Sequence, residues 1–299
     1  MNIRLPSEIP GDAASRRRAG ASWLALGLTA IVAVAEFALA SPLGASDGYQ
    51  LSLVSGIGTA VLTVLLLTVL LRWPAQRRAA DALLLLGASL LTLAVVYRLG
   101  VEVLANLVNA NNPPFALPSG PGVDPVLETG AGAVGAWLLA LGVGRLGSSR
   151  SRARSMVPEV VVLAAGLFAA LLIAASATLP GWAPEDRVAV LVSAVGTLGW
   201  AALGRAALVS GALSTGRWLV LSGAIFMLGR VGLNALGLLA THRMSGPLGS
   251  YDTYMAVGVL GFVAWVMLCV GFALVASGSS SLHVPFVSET EISDGPARP

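Results

Sequence analysis

The sequence contains no lysine, and this absence excludes several kinds of site. All 18 residues in the combined lysine and arginine total are arginines. Without a lysine amine, the chain cannot hold retinal or another carbonyl cofactor as a Schiff base, and it cannot form a phosphate-binding loop that depends on lysine. Its basic charge is instead permanent, because the arginine guanidinium stays protonated in proteins.

Cysteine and histidine are almost as scarce. Cys269 is the single cysteine, which excludes an internal disulfide and a cysteine-rich metal site. The two histidines, His242 and His283, lie at or beyond the ends of apolar segments, so they do not provide a pair of axial haem ligands at membrane depth. The sequence therefore predicts no bound cofactor and no metal.

Charged residues are also rare, at 11% of the chain, whereas soluble domains carry about a quarter. Apolar residues make up 56%, and the mean hydropathy is +0.82. This composition predicts an integral membrane protein in contact with the lipid bilayer. The pI is near 9.6, but the arginines flank apolar segments instead of following one soluble face. An anionic membrane surface accounts for them, and nucleic acid is not a predicted partner.

Eight apolar segments are long enough to cross a bilayer, which takes about 20 residues for roughly 30 Å of hydrocarbon. The predicted helices are 20–40, 50–72, 81–108, 126–145, 158–179, 187–208, 217–240 and 253–276. Short connections make successive helices antiparallel neighbours. The first segment is similar to a secretory signal, but it is long enough to span and contains Glu36, so we predict that it is retained.

The distribution of arginine predicts the orientation. Only Arg187 and Arg243 fall in the loops on one side of the membrane. The N-terminus and the alternate loops hold thirteen, namely Arg4, Arg16, Arg17, Arg18, Arg72, Arg77, Arg78, Arg145, Arg150, Arg152, Arg154, Arg205 and Arg217. Because cytoplasmic loops are enriched in arginine, both termini are predicted to be cytoplasmic in a bacterial-type inner membrane. The outward loops are then 41–49, 109–125, 180–186 and 241–252, with the proline-rich 109–125 expected to form an ordered cap.

Three matches in the same order indicate a tandem duplication. They pair 54–59 with 192–197, 98–107 with 230–239, and 124–137 with 252–265. The second pair reads RLGVEVLANL and RVGLNALGLL, and the offsets of 138, 132 and 128 residues fall steadily along the chain. Because each copy holds four spans, we predict an all-α bundle of eight transmembrane helices. Its two four-helix repeats are related by a pseudo-twofold axis along the membrane normal.

This duplication defines the predicted organisation of the chain. It comprises a cytoplasmic N-terminal segment 1–19, repeat one at 20–145, a cytoplasmic linker 146–157, repeat two at 158–276, and a disordered cytoplasmic tail 277–299. Small residues at helical spacing, such as Ala131 with Gly135 and Gly166 with Ala170, are expected to let helices approach closely.

The strongest candidate for a functional site is a polar layer in the outer half of the membrane. At 1.5 Å per residue, Arg98 lies about 26 Å and Arg230 about 20 Å from the cytoplasmic edge. The candidate solute- or ion-binding residues are Arg98, Glu102, Asn106, Arg230, Asn234, Glu36 and Glu128. Because a charge that faces lipid costs at least a few kcal/mol, these groups are expected to face one another or a wet cavity.

Particular partners are expected within this layer. Glu102 lies one helical turn after Arg98 and can pair with it. Arg230 is followed one turn later by neutral Asn234, so its partner must come from another helix, and Glu36 or Glu102 is the expected one. Removal of one member of such a buried pair costs roughly 3–5 kcal/mol.

Other conspicuous residues have simpler interpretations. Asp124 and Asp252 precede the fourth and eighth predicted helices, where a carboxylate caps free backbone amides. Trp137 and Trp265 are expected to pack inside the bundle. Arg205 is expected to anchor its helix at the cytoplasmic face.

Two interpretations of the polar layer stay open. In the structural one, the arginines reach headgroups or lock the halves together. In the functional one, they bind a small anionic solute, or the carboxylates pass protons or cations. The predicted function is a transporter or permease for a small solute or ion, which requires a continuous polar path.

The alternative is a non-catalytic subunit or scaffold of a larger membrane complex, with another membrane protein or a second copy as partner. This function requires a dry, packed interior. An enzyme acting on a lipid-linked substrate ranks third, because no metal-binding carboxylate cluster or Ser/His pair is present.

Overall fold

A computed structural model describes residues 48–71, 78–111, 125–146, 156–179, 182–210, 216–243 and 251–278. These ranges contain seven α-helices: α1 (Gly48–Leu71), α2 (Arg78–Asn111), α3 (Pro125–Leu146), α4 (Val157–Ser176), α5 (Pro184–Val209), α6 (Arg217–Arg243) and α7 (Tyr251–Gly278). Each end lies within three residues of its predicted position, so seven of the eight predicted helices are confirmed. The first predicted helix, 20–40, lies outside the described residues.

Six of these helices are long and apolar enough to cross a membrane. The apolar stretches are Ala80–Val101, Val126–Leu146, Val157–Ser176, Pro184–Val209, Arg217–Gly237 and Val257–Val275. In α1 the corresponding apolar stretch is shorter, Gly56–Leu71. The described chain therefore has the architecture of an all-helical, polytopic membrane protein.

Consecutive helices run antiparallel, as contacts between α1 and α2 illustrate. The Thr92 hydroxyl donates to the backbone carbonyl of Thr63 at 3.2 Å, while Gly56, earlier on α1, lies against Leu99, later on α2. We name the end of the bundle at which α1, α3, α5 and α7 finish the inner end, and the opposite end the outer end. The names follow the predicted orientation.

Glycines bring several helix backbones into contact. A Cβ added to Gly87 on α2 would lie 2.9 Å from the carbonyl oxygen of Gly135 on α3. A Cβ on Gly166 of α4 would collide with the Cβ of Ala201 on α5. The expectation that Gly135 and Gly166 allow close helix packing is therefore confirmed.

The helices form a bundle in which α5 lies between α3, α4 and α6. The other neighbouring pairs are α1 with α2, α2 with α3, α4 with α6, α6 with α7, and α1 with α7. Helices α3 and α5 run parallel, with Gly196 on Ala133 and Gly199 on Ala136. Where α1 meets α7, the Cys269 thiol donates to the carbonyl of Leu62 at 2.9 Å.

The tightest packing lies in the inner half of the bundle. Every one of the largest fully buried side chains in the described chain falls between the middle of its helix and the inner end. They are Phe272, Leu62, Leu66, Leu84, Leu139, Leu203, Leu268, Val143, Val220 and Thr63. Thr63 is the only polar member, and its hydroxyl donates to the carbonyl of Ala60 within α1. The inner half is thus dry in its described part.

Two tryptophans stabilise the contacts between helices. Trp265 is 3% exposed and packs edge to face with Trp200, with ring centroids 6.0 Å apart. Trp137 donates its indole N–H to the carbonyl of Val195 at 3.0 Å. The prediction that Trp137 and Trp265 pack within the bundle is confirmed.

Candidate functional site

An ion pair joins α2 to α3 in the outer half. Arg98 Nη1 lies 3.6 Å from Glu128 Oε1, and the two side chains are 46% and 27% exposed. Glu128 belongs to the first turn of α3, where a carboxylate also stabilises the free amides of the helix N-terminus. The structure thus brings together two of the predicted site residues. A pair this exposed is worth about 0–1 kcal/mol where water reaches it.

Arg230 crosses α7 at a glycine. A Cβ added to Gly261 would lie 2.8 Å from Arg230 Cδ and Nε and 3.1 Å from Cζ. Any larger residue at position 261 would therefore displace the arginine. Arg230 is partly buried, whereas Arg98 is exposed, which agrees with the expectation that Arg230 is the costlier charge.

The expected pairing of Arg230 with Glu102 is not supported by the helix packing. Arg230 belongs to α6, whose main neighbours are α4, α5 and α7, while Glu102 belongs to α2, whose main neighbours are α1 and α3. Long-range pairing is decided by which helices meet, and the helical spacing alone did not reveal this. Glu36 lies outside the described residues, as do the side chains of Glu102 and Asn106.

A cavity of about 70 Å³ lies between α4, α5 and α6 toward the outer end. It is lined by Ile173, Ser176, Val190, Ser193, Val231, Asn234 and Ala235. Of these residues, only Asn234 was predicted as a site residue. Single serines within apolar segments have no spacing pattern that marks them, although Ser193 does belong to the repeated stretch 192–197.

Each of the three helices contributes one polar side chain to this cavity. Ser176 is buried, and its hydroxyl donates to the carbonyl of Ile173 at 2.7 Å, which leaves its oxygen able to accept. The backbone carbonyl of Ser176 accepts the indole N–H of Trp182 at 3.0 Å. Within the described part of the chain, the side chains of Ser193 and Asn234 make no hydrogen bond. The cavity therefore offers both donors and acceptors to a solute.

A second cross-helix ion pair lies at the inner end. Arg205 Nε on α5 is 3.0 Å from Glu159 Oε2 on α4. Arg205 was predicted as a helix anchor, but its partner was not foreseen, because Glu159 is distant in sequence. The pair ties α4 to α5 beside the dry inner half.

Neither a metal site nor the predicted caps can be built from the described residues. No group of three or more His, Cys, Asp or Glu among them could hold a metal ion. Asp124 lies outside the described residues, as does the side chain of Asp252, so their capping roles stay predictions.

No protein-family model matches the chain, and no significant similarity connects it to a curated protein or to a solved structure.

Proposed function

We propose that this chain is a transporter or permease for a small solute or ion, with its polar site in the outer half of the bundle. The observation that carries the proposal is the contrast between the two halves. The large buried side chains are confined to the inner half, while the Arg98–Glu128 pair, Arg230 and the cavity beside Asn234 lie toward the outer end. A transporter that admits solute from outside needs a closed inner side and a polar outer side.

We further propose that the bundle consists of two four-helix repeats, and the pattern of neighbours supports this. Exchanging α1 with α5, α2 with α6, and α3 with α7 leaves the contacts among these six helices unchanged. The contact registers also agree: Leu84 lies against Gly142 in the first half, and Gly216, which is 132 residues after Leu84, lies against Gly271 in the second. Segment 20–40 would be the counterpart of α4.

The orientation belongs to the same proposal, with both termini in the cytoplasm of a bacterial-type inner membrane. In a Cys269→Ala background, single cysteines at Ser46, Ser119 and Ser250 should react with an impermeant thiol reagent in intact cells. A cysteine at Ser149 should not. Labelling at Ser149 alone would reverse the orientation.

A non-catalytic subunit or scaffold is the second candidate, and the dry inner half favours it. If that half never opens, no solute can cross. The apolar outer face of α4, which includes Phe168 at 64% exposure, could contact a partner helix, although lipid can cover it equally well.

Opening of the inner half separates the two candidates. Leu203 is fully buried in the inner half of α5, and Val209 is exposed at the end of the same helix. In inside-out vesicles, a transporter should expose a cysteine at Leu203 during part of its cycle, so that a thiol reagent labels it slowly. Val209→Cys is the accessible control. Complete protection of Leu203→Cys across solute and ion gradients, with rapid labelling of Val209→Cys, would favour the scaffold.

A further inference from the structure

We propose that the cavity between α4, α5 and α6 binds one small uncharged solute of about three or four non-hydrogen atoms, of the amide or alcohol class. This inference rests on the proposed function, because it names the solute that the outer site would accept. It is argued from the size of the cavity, from the charge of its lining and from its hydrogen-bonding groups.

The volume limits the size of the solute. One water needs about 10–15 Å³ of such space, and an engineered cavity of about 150 Å³ holds benzene with its six carbons. The 70 Å³ cavity is roughly half as large. It therefore suits a molecule such as acetamide and is too small for a sugar or an amino acid.

The lining favours a neutral solute over an ion. None of its seven residues is charged, and Ile173, Val190 and Val231 surround the polar groups with apolar surface. An ion that left water here would lose its hydration without gaining a counter-charge, which is far costlier than the transfer of a neutral polar group. Arg230 lies one turn before Asn234 but is laid against Gly261 on α7, and it does not line the cavity.

The polar groups match a solute that both donates and accepts. The hydroxyl hydrogen of Ser176 is committed to Ile173, so its oxygen is an acceptor for a solute N–H or O–H. The Asn234 side chain carries both an N–H donor and a carbonyl acceptor, and the Ser193 hydroxyl can act as either. An amide bound here would replace the hydrogen bonds that it gave up in water.

Alkylation of a single cysteine by reagents of matched shape tests this inference. Iodoacetamide and iodoacetate have nearly the same shape, but only the second is charged. We choose Ser193→Cys as the probe and Thr178→Cys, exposed at the outer end, as the control that cancels the intrinsic reactivities of the reagents. The rate ratio of iodoacetamide to iodoacetate should be at least about tenfold higher at position 193, equivalent to about 1.4 kcal/mol. Acetamide should slow the reaction, while acetate and ethylammonium at equal concentration should not.

Several outcomes would overturn the inference. Equal rate ratios at the two positions, or protection by acetate or ethylammonium, would assign the cavity to an ion. Failure of Ser193→Cys to react while Thr178→Cys reacts would remove the cavity as a solute site. Asn234→Cys serves as a second probe if Ser193→Cys unfolds, and Asn234→Leu combined with Ser193→Cys should abolish protection by acetamide.

Uptake into proteoliposomes separates this inference from the proposed function. If the cysteine results hold but acetamide does not cross, the site stands and transport fails. If ions cross and acetamide neither protects nor crosses, transport stands and the solute class is wrong.

Discussion

Helix α3 meets two different environments along its length. Near the outer end, Gly130 and Gly132 have nothing within 4 Å of an added Cβ, whereas near the inner end a Cβ on Gly142 would lie 2.7 Å from Leu84 Cγ. The same contrast holds across the bundle, since large apolar side chains fill the inner half and charges with a polar cavity occupy the outer half. A membrane bundle can thus be sealed at one level and left accessible at another without a break in any helix.

The largest expected effect comes from removing a ring in the sealed half. Phe272 is fully buried, so Phe272→Ala should leave a cavity and lower the free energy of unfolding by about 2–3 kcal/mol. This lies below the usual range for soluble cores, because lipid tails solvate the ring in the unfolded reference state. Phe168→Ala, on the exposed face of α4, is the control and should change little. Unfolding in mixed micelles measures both.

The same substitution in the outer half tests the contrast directly. Phe262 lies on α7 toward the outer end and is only partly buried. Phe262→Ala should cost clearly less than Phe272→Ala. Equal losses would mean that the two halves are packed alike.

Glycine substitutions along α3 probe the contrast within one helix. Gly142→Ala forces its Cβ against the buried Leu84 and should lower the free energy of unfolding by about 1–3 kcal/mol. Gly132→Ala has open space around it and should stabilise the helix by up to about 1 kcal/mol. A loss of stability at Gly132 would show that the outer half is more tightly packed than we describe. Thermal unfolding in detergent resolves both changes.

The contact between Arg230 and Gly261 predicts a coupled pair of substitutions. Gly261→Ala should displace the arginine and lower stability by about 1–2 kcal/mol, while Gly258→Ala, which has open space, is the control. Arg230→Ala should also destabilise, because its partner in the outer half is left behind. The double variant should lose less than the sum of the single losses. Strict additivity would mean that Gly261 does not position Arg230.

The smallest expected effect concerns the outer ion pair. A double-mutant cycle with Arg98→Gln and Glu128→Gln should give a coupling energy of at most about 1 kcal/mol, and added salt should weaken it further. The inner pair of Arg205 with Glu159 provides a second cycle for comparison. A coupling above about 2 kcal/mol at Arg98 would indicate that the outer half is shielded from water.

The helices were predictable because a membrane span is mainly a matter of length and apolarity. Their ends came within three residues of the predicted positions, since arginine and proline mark where apolar segments stop. Tight packing at Gly135 and Gly166 also followed from small residues at helical spacing. These features are local, so one sequence contains enough information to find them.

The site was predicted less completely, because it depends on which helices meet. Asn234 was singled out, but Ser176 and Ser193 were not, although all three line one cavity. Arg98 had two carboxylates within reach on paper, and only a neighbouring helix decides that Glu128 pairs with it. Gly261 attracted no attention, because a glycine reveals its role only when the side chain that crosses it is known.

The lone thiol makes this protein its own clock. Cys269 is buried at the contact between α1 and α7, and its donor bond to Leu62 must break before a reagent can reach the sulfur. Its alkylation by a membrane-permeant maleimide therefore counts how often that contact opens, in the way that amide exchange counts local unfolding. Because no other cysteine competes, the unmodified chain reports this opening rate directly, in any lipid and with any solute added.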